Sequence, residues 1–331
     1  MLRVLHVTNA FPYEEVPEYG IFVKEQIDSL SSINSGIQSD TLFINGRKFG
    51  RKAYISGVWE LRQRARQYDL IHCHHLYSSF VTALALTGKP TVVSFLNDWL
   101  HEMDGVRSTF VRKLGCNFGA QWANRIILKS RIPAQFRNDK RFILLPNGVN
   151  STQFKIEPKD DARKILGLRP DAIYVLFVSS KNRDRPQKRY DRFTEVLAEV
   201  KKNNPGRDIE ELVLVNQDRD KVSSFFNAAD LHLMTSDFEG SPNSVKEALC
   251  CGISVVSTDV GNVRDMLSGL PNCYVSSTFE APELAALVQK SIEASVSREN
   301  VRDAFLEKDL SQKSVAEKLI RIYTELADKS S

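Results

Sequence analysis

Two glutamates in one short stretch are the residues best placed to do chemistry. Glu239 follows a run typical of a buried strand, and Glu247 lies eight residues later, inside a predicted helix that ends at Gly252. Backbone amides at the start of a helix attract anions, so residues 240–244 are expected to form a diphosphate site. Glu247 lies about one and a half turns into this helix. Both carboxylates could therefore contact one phosphorylated ligand.

The residues at its two ends predict where this helix begins and ends. Ser241 is a good N-cap, and Pro242 suits the first helical position. Gly252 suits the position just after a helix. The sequence therefore predicts a helix over 242–251 whose first amides point out of a sheet edge.

Strand-like and helix-like segments alternate through the whole chain, which predicts an α/β fold. The predicted strands are Arg3–Thr8, Asp69–His72, Thr91–Phe95, Arg125–Leu128, Phe142–Leu145, Ala172–Val178, Glu211–Val215, Leu231–Thr235 and Ile253–Ser257. The rhythm stops after the fifth strand and then restarts, so two Rossmann-like domains facing across a cleft are expected. Ligands of such sheets bind beyond the carboxyl ends of the strands.

The predicted domain boundary falls where the first sheet pattern ends. Residues 1–150 form the first domain, residues 151–313 the second, and residues 314–331 a C-terminal helix that could pack back toward the first domain. Apolar residues recur on one face of this helix. Ser314 and Glu317 have the spacing of a capping box at its start.

The stretch from Asn227 to Gly261 resembles the donor-binding signature of family-4 glycosyltransferases, which have the GT-B fold. The resemblance implies a retaining transferase of the hexosyltransferase type. Its donor would be a nucleotide diphosphate sugar and its acceptor a saccharide or a lipid-linked saccharide, in the synthesis of a cell-surface polysaccharide. It also implies that residues 1–150 are the acceptor side and residues 151–313 bind the nucleotide sugar.

The resemblance assigns roles to residues of this stretch. Glu239 matches the first glutamate of the family's pair, which contacts hydroxyls of the donor sugar. Glu247 matches the second, which hydrogen-bonds the nucleotide ribose. The donor-binding backbone between them matches Gly240, Ser241, Pro242, Asn243 and Ser244.

A basic loop after the first strand of the second domain resembles the family's diphosphate-holding segment. Lys188 matches the family's lysine, and Arg183 is the candidate for its arginine, with Lys181 behind it. These cations and the helix amides would stabilise the leaving diphosphate. No Asp-x-Asp triplet lies in a suitable loop, so no metal and no cofactor are expected, the nucleotide sugar being a substrate. Residues 145–150, Leu-Pro-Asn-Gly-Val-Asn, resemble the family's interdomain element.

The first domain resembles the family less closely. Gly20 matches one glycine of a glycine loop, where it could let the backbone approach the donor or start a helix. His74 is a candidate for lining the cleft, with a surface position as the alternative. The family's Thr-x-His-Gly is altered, with Leu96 in the histidine position, and Asn97 or Asp98 could supply a polar contact instead.

Charge and composition bear on partners and compartment. Residues 1–150 carry 19 basic and 12 acidic residues, whereas residues 151–331 carry 26 and 29. The basic half suits an anionic partner rather than nucleic acid. Segments 47–54 and 59–66 combine basic and aromatic residues, and could meet an anionic membrane surface or simply be an exposed helix and loop.

The five cysteines lack metal-ligand spacing and indicate buried thiols in a reducing compartment. No targeting or membrane-spanning run is visible. We therefore expect a cytoplasmic protein, with a peripheral position at the inner membrane face as the variant.

Two other functions remain open from the sequence. A nucleotide-sugar 2-epimerase would act without an acceptor, and a catalytically degenerate nucleotide-binding scaffold would bind without turnover. A dinucleotide-dependent dehydrogenase is disfavoured, because no G-x-G-x-x-G follows either opening strand.

Overall fold

The chain folds into two α/β units. A computed structural model describes residues 1–33, 36–97, 99, 108–179 and 182–329. Unit 1 comprises Met1–Gly148 and Gln312–Ser331, and unit 2 comprises Val149–Ser311.

Strands and helices alternate in both units. The strands are β1 (Leu2–Thr8), β2 (Ile37–Phe43), β3 (Leu70–His74), β4 (Thr91–Phe95), β5 (Arg125–Leu128), β6 (Phe142–Leu144), β7 (Ile173–Ser179), β8 (Ile209–Val215), β9 (Leu231–Met234), β10 (Ser254–Ser257) and β11 (Tyr274–Val275). The helices are α1 (Ile21–Ser32), α2 (Gly46–Phe49), α3 (Lys52–Arg64), α4 (Leu76–Ala85), α5 (Thr109–Gln121), α6 (Lys159–Leu166), α7 (Tyr190–Asn203), α8 (Arg219–Ala228), α9 (Asn243–Cys250), α10 (Val263–Leu267), α11 (Ala281–Glu293), α12 (Arg298–Leu306) and α13 (Gln312–Asp328).

Unit 1 contains a six-stranded parallel sheet in the order β2-β1-β3-β4-β5-β6. Alternate residues of each strand face opposite sides, so both faces must be covered by apolar residues. Leu5 and Ile71 join the core beneath α3, α4 and α5. Val4 and Leu70 join the opposite core, which α1 and α13 cover.

Helix α13 belongs to unit 1 although it follows unit 2 in the chain. Its buried residues are Val315, Ala316, Leu319, Ile322, Tyr323 and Leu326. The helix begins at Gln312, so the capping box expected from Ser314 and Glu317 is wrong as its starting point. The reason lies in the preceding residue: Ser311 forms a β-bridge with Val149, and the chain enters the helix directly from that bridge.

Unit 2 contains a five-stranded parallel sheet in the order β11-β10-β9-β7-β8. Leu176 of β7 faces a core shared with α8, α9 and α12, and its neighbours Val175 and Phe177 face one shared with α7 and α11. Two parallel sheets covered by helices confirm the predicted α/β fold class. None of the described helices is both long and apolar enough to cross a bilayer.

Candidate functional site

The candidate site in unit 2 is built on Glu239 in the loop between β9 and α9. Its Oε1 accepts a hydrogen bond from Lys188 Nζ at 2.7 Å and another from Ser236 Oγ at 2.8 Å. The side chains of Lys188 and Glu239 are only 13% and 12% exposed. A charge-assisted bond so sheltered from water holds both side chains in place. The structure therefore brings together two of the three residues predicted to be catalytic.

Backbone contacts fix the loop that carries Glu239. The side chain of Gln187 donates to the Phe238 carbonyl at 2.7 Å, and the Asp237 amide donates to the Gln187 carbonyl at 2.9 Å. The largely buried Arg192 guanidinium donates to the Thr235 carbonyl at 2.7 Å. The segment that carries Lys188 thus also braces the segment that carries Glu239.

Gly240 is held from the other side by Gly261. The Asn262 amide donates to the Gly240 carbonyl at 3.2 Å. Gly261 has φ +57°, and a Cβ there would lie 2.2 Å from the same carbonyl oxygen. Glycine is required at position 261 for both reasons, and this residue was not singled out in the sequence as part of a site.

The first turn of α9 lies directly after this loop, but it begins differently from the prediction. Pro242 is the N-cap, with ψ 121°, and α9 begins at Asn243. Ser241 is not the cap because its hydroxyl and carbonyl accept hydrogen bonds from the buried Lys246 ammonium, at 2.9 Å and 3.3 Å. The side chain of Pro242 has no acceptor for the first-turn amides, so these amides keep the positive potential that attracts an anion.

The polar side chains of that first turn have different surroundings. Ser244 is buried, and its Oγ lies 3.2 Å from His232 Nε2, whose other ring nitrogen lies 3.0 Å from the Leu176 carbonyl. Asn243 Oδ1 is buried and has no hydrogen-bond partner among the described residues. A ligand amide or hydroxyl could supply that partner.

Glu247 pairs with a residue that the sequence did not indicate. Arg219, at the first position of α8, donates to Glu247 Oε1 at 2.9 Å, and Glu247 is largely buried. The Arg219 guanidinium also lies 4.9 Å from the centroid of the Phe154 ring. Its position just beyond the carboxyl end of β8 is where ligand-binding residues of such sheets lie, and that rule could have found it.

Arg183 is not brought to the Lys188–Glu239 pair. Its side chain is 52% exposed, and its guanidinium lies 4.8 Å from the centroid of the Tyr190 ring and 3.9 Å from the Asp184 carboxylate. Stacking on an aromatic ring satisfies an exposed guanidinium without a buried anion. Lys181, the second basic residue proposed for this loop, lies outside the described residues.

The candidate site residues of unit 1 lie in different surroundings. Gly20 is the left-handed N-cap of α1, with φ +69°, and a Cβ there would lie 2.2 Å from the Ala10 carbonyl oxygen. The close approach of the Ala10 carbonyl therefore explains why position 20 is a glycine. Asn97 is half-buried after β4. Asp98 lies outside the described residues.

His74 neither lines a cleft nor lies on the surface, so both positions expected for it from the sequence are wrong. Its side chain is fully buried, and its Nε2 lies 3.0 Å from His6 Nδ1. His72 lies beside them, with Nδ1 near the Tyr323 hydroxyl at 2.5 Å and Nε2 near Ser94 Oγ at 2.8 Å. His6 and His72 are register partners on neighbouring strands, so the three rings share one face of the sheet.

These histidines are also the described group that could hold a metal, with ring nitrogens within 4.8 Å of one another. Burial lowers the pKa of His6 to about 3 and the pKa values of His72 and His74 well below the usual range. Lys129, whose charge contributes to the shifts of His72 and His74, is itself fully buried, and burial lowers its pKa to about 7. Because hydrogen bonds already join the rings to α13 and to the neighbouring strand β4, we interpret the cluster as structural.

The family match among the comparisons with known proteins falls within unit 2. Residues 211–308 match the family described as glycosyl transferases group 1. This segment contains Arg219, Glu239 and Glu247, and it ends within unit 2.

Curated relatives are 26% identical to this chain. One is a D-inositol 3-phosphate glycosyltransferase from Actinosynnema mirum, aligned over 270 residues, 66% of this chain and 64% of that protein. Another is Bacillus subtilis TuaC, whose name assigns it to teichuronic acid biosynthesis, aligned over 62% of this chain and 57% of that protein. The match thus spans less than two thirds of the length of either relative.

Solved structures share the whole fold. Sucrose-phosphate synthase from Thermosynechococcus elongatus superposes with a TM-score of 0.75 at 15% identity, covering 100% of both chains. Anabaena HepE, solved with UDP-glucose, gives a TM-score of 0.72 at 16% identity, covering 98% of this chain and 100% of that one. The GT-B fold expected from the sequence is confirmed.

Proposed function

We propose that this chain, which has the GT-B fold and carries a glycosyl transferases group 1 domain, is a retaining glycosyltransferase. It moves a hexose-type sugar from a nucleotide diphosphate sugar to a saccharide or lipid-linked saccharide acceptor. Unit 2 binds the donor and unit 1 provides the acceptor side.

One observation carries the proposal: a sheltered lysine–glutamate pair lies beside an uncapped helix start. Lys188 Nζ and Glu239 Oε1 are 2.7 Å apart, and α9 begins four residues after Glu239. A diphosphate needs cations and amide donors, whereas a sugar needs a carboxylate to accept from its hydroxyls. Both kinds of group occur here within one loop and one helix turn.

The transfer step follows from these groups. The bond between the anomeric carbon and the diphosphate oxygen breaks, and the diphosphate leaves with the electron pair. A bond forms between the same carbon and an acceptor oxygen, on the face from which the diphosphate departs. The proton of the acceptor hydroxyl passes to the leaving phosphate oxygen, so the configuration is retained and the charges balance.

Lys188 and the amides of Asn243 and Ser244 stabilise the charge that grows on the leaving diphosphate. As the phosphates engage Lys188, they compete with Glu239 for its ammonium. The carboxylate then turns to hydroxyls of the donor sugar. Arg183, which lies over the half-buried ring of Tyr190, joins this cation set by leaving that ring.

Glu247 fixes the nucleotide in this proposal. It is buried and held by Arg219 at 2.9 Å, which leaves its other carboxylate oxygen to accept from ribose hydroxyls. A buried carboxylate held by an ion pair accepts without moving, which is what a positioning contact requires.

The named relatives support the chemical class. The Actinosynnema protein and TuaC are named as glycosyltransferases, the latter of teichuronic acid biosynthesis. Anabaena HepE binds UDP-glucose in its solved structure. We therefore place this chain in the synthesis of a surface saccharide, with a uracil nucleotide as the first donor to try.

The test is a metal-free thermal-shift panel of nucleoside diphosphates and their sugars, followed by a transfer assay. A selective shift that Glu247→Ala weakens, and a product with retained anomeric configuration, are the expected results. Matched Glu195→Ala removes an exposed carboxylate of α7 and should leave the shift intact.

Three outcomes would contradict the proposal. Sugar isomerisation without an acceptor would make the chain a nucleotide-sugar 2-epimerase. Nucleotide binding without turnover on any acceptor or water would make it a scaffold. An inverted product would remove the same-face step.

A further inference from the structure

Unit 1 exposes a broad apolar surface on three neighbouring helices. On α3, Ile55 and Trp59 are 66% and 64% exposed, and on α4 Leu84 is 64% exposed. The surface continues onto α5, where Phe118 packs against Phe80 with ring centroids 5.9 Å apart. Further exposed apolar side chains of α5 are Phe110, Val111 and Leu114. We call this set the helical face of unit 1; apolar surface of this extent marks an interaction site.

A groove runs between α3 and α4 within the helical face. It encloses about 650 Å³ and is lined mainly by Tyr54, Trp59, Tyr77, Phe80 and Leu84. Two arginines, Arg51 and Arg62, also line it. The groove thus offers aromatic and aliphatic walls with guanidinium groups beside them.

Basic residues outnumber acidic residues on the described part of the helical face. Arg51, Lys52, Arg62, Arg66 and Lys113 are exposed, and in the described part of the chain none has a carboxylate within 4.0 Å. Helices α4 and α5 contain no acidic residue. The acidic residue of α3, Glu60, is bonded to Arg64. The surface therefore carries net positive charge next to exposed apolar rings.

We propose that the helical face of unit 1 docks on the surface of an anionic lipid bilayer. Tryptophan and other apolar side chains enter the headgroup boundary, while arginine and lysine contact lipid phosphates. A second copy of this face would bring like charges together, which disfavours self-association. The proposal concerns where the protein works and does not depend on the identity of the donor.

Trp59 provides a direct readout. The other two tryptophans, Trp99 and Trp122, are buried or half-buried, so Trp59 is the exposed indole. Adding vesicles of phosphatidylcholine with phosphatidylglycerol should shift its emission to the blue, and brominated lipid should quench it. Vesicles of phosphatidylcholine alone should do neither.

Flotation with the same vesicles tests the two contributions separately. Arg62→Glu with Arg66→Glu, near the end of α3, should weaken binding more than about tenfold, because each basic residue near the surface contributes. The matched control, Lys201→Glu with Lys202→Glu, makes the same charge change on exposed residues at the end of α7 in unit 2 and should bind normally. Trp59→Phe should still float but lose the blue shift and the quenching.

Each contrary result would overturn the proposal. The proposal is wrong if the protein does not float with anionic vesicles at low salt, or if it binds neutral vesicles as strongly as anionic ones. It is also wrong if the Lys201→Glu with Lys202→Glu control loses as much vesicle binding as the Arg62→Glu with Arg66→Glu variant. Quenching that persists in Trp59→Phe would place the contact elsewhere. Trp59 emission that depends on protein concentration without lipid would identify a self-association face. Circular dichroism of each variant confirms that a loss of binding is not a loss of folding.

Discussion

Lys188 and Glu239 neutralise each other in a place that little water reaches. A buried ion pair contributes little net stability, because the loss of hydration offsets much of the attraction. Such a pair is therefore better explained by what it does for a ligand. The pair is also mechanically supported, since the backbone around Gln187 and Phe238 joins the two loops.

Replacing Lys188 by alanine should reduce turnover about 100-fold or more, because it removes one group that stabilises developing charge. Initial rates with saturating donor and acceptor measure this. Lys188→Arg retains the charge with altered geometry and should recover part of the loss. A normal rate in Lys188→Ala would exclude the lysine from the site, provided that the melting temperature shows a folded protein.

Glu247→Gln should weaken nucleoside diphosphate binding about 10-fold or more, because hydrogen bonds to a charged acceptor contribute about 1.5–3 kcal/mol. Arg219→Gln should have a smaller effect in the same direction, acting through the orientation of Glu247. Isothermal titration measures both. Equal affinity of Glu247→Gln and the wild type would show that the ribose contact is absent.

The sequence put forward candidate site residues, whose roles stay predictions, but it did not put forward their partners. Glu239, Lys188 and Glu247 were predicted from local motifs. Arg219 was not, because its pairing with Glu247 depends on where two separate helices start. His74 was expected either to line a cleft or to lie on the surface, whereas it is fully buried and its Nε2 lies 3.0 Å from His6 Nδ1.

At the scale of elements, the loop between β9 and α9 depends on glycine at position 261. Gly261→Ala would put a Cβ 2.2 Å from the Gly240 carbonyl in a left-handed conformation. We expect the free energy of unfolding to fall by more than the cost of about 1–2 kcal/mol that this conformation has for an L-residue. Gly269→Ala is the matched control, because Gly269 also has positive φ, +77°, but its Cβ would meet nothing within 4 Å.

Denaturant unfolding and transfer rates distinguish the two glycine variants. Gly269→Ala should lose only the stability that a positive φ costs an alanine, and it should keep its activity. Gly261→Ala should lose more stability and should also lose activity, because the Gly240 carbonyl must move. Equal behaviour of both variants would show that the close approach is unimportant.

Nine of the eleven described strands were predicted in their order, whereas the edge strands β2 and β11 were not, and the ends of elements were less predictable. Strand periodicity depends on burial of both sheet faces, which hydrophobic residues record directly. Helix starts depend on competing partners, and for this reason Ser241 bonds to Lys246 instead of capping α9. Likewise α13 begins at Gln312 because a bridge to Val149 fixes the residue before it.

At the scale of the molecule, the buried histidines make stability depend on pH. The pKa of His6 is about 3 in the folded chain and about 6.5 when unfolded. The unfolded chain therefore binds a proton that the folded chain excludes. The free energy of unfolding should fall as pH decreases from about 6.5 toward 3, by up to about 1.4 kcal/mol per pH unit for each such histidine.

Denaturant titrations across this pH window test the effect. In His6→Asn the free energy of unfolding should depend less steeply on pH, by the contribution of about one proton, since one titrating group is removed. A slope unchanged by this substitution would show that His6 is not held neutral.

Removing residues 312–328 should prevent unit 1 from folding, although these residues follow unit 2. The helix buries Leu319 and Tyr323 against Val4, Leu70 and Val92. Its loss would expose that face of the sheet, so we expect aggregation, measured by light scattering. A chain ending at Asp328 keeps the helix and should remain stable and monodisperse; stable, native-like folding of the shorter chain would contradict this role of α13.

The position of α13 also sets the order of events during synthesis. Residues 149–311 are contiguous, so unit 2 can form its core without waiting for Gln312 and the residues after it. Unit 1 cannot, because the first strand must wait for the last helix. A growing chain therefore carries an uncovered sheet face until residues 312–328 have emerged, and during that time unit 1 is the part exposed to aggregation.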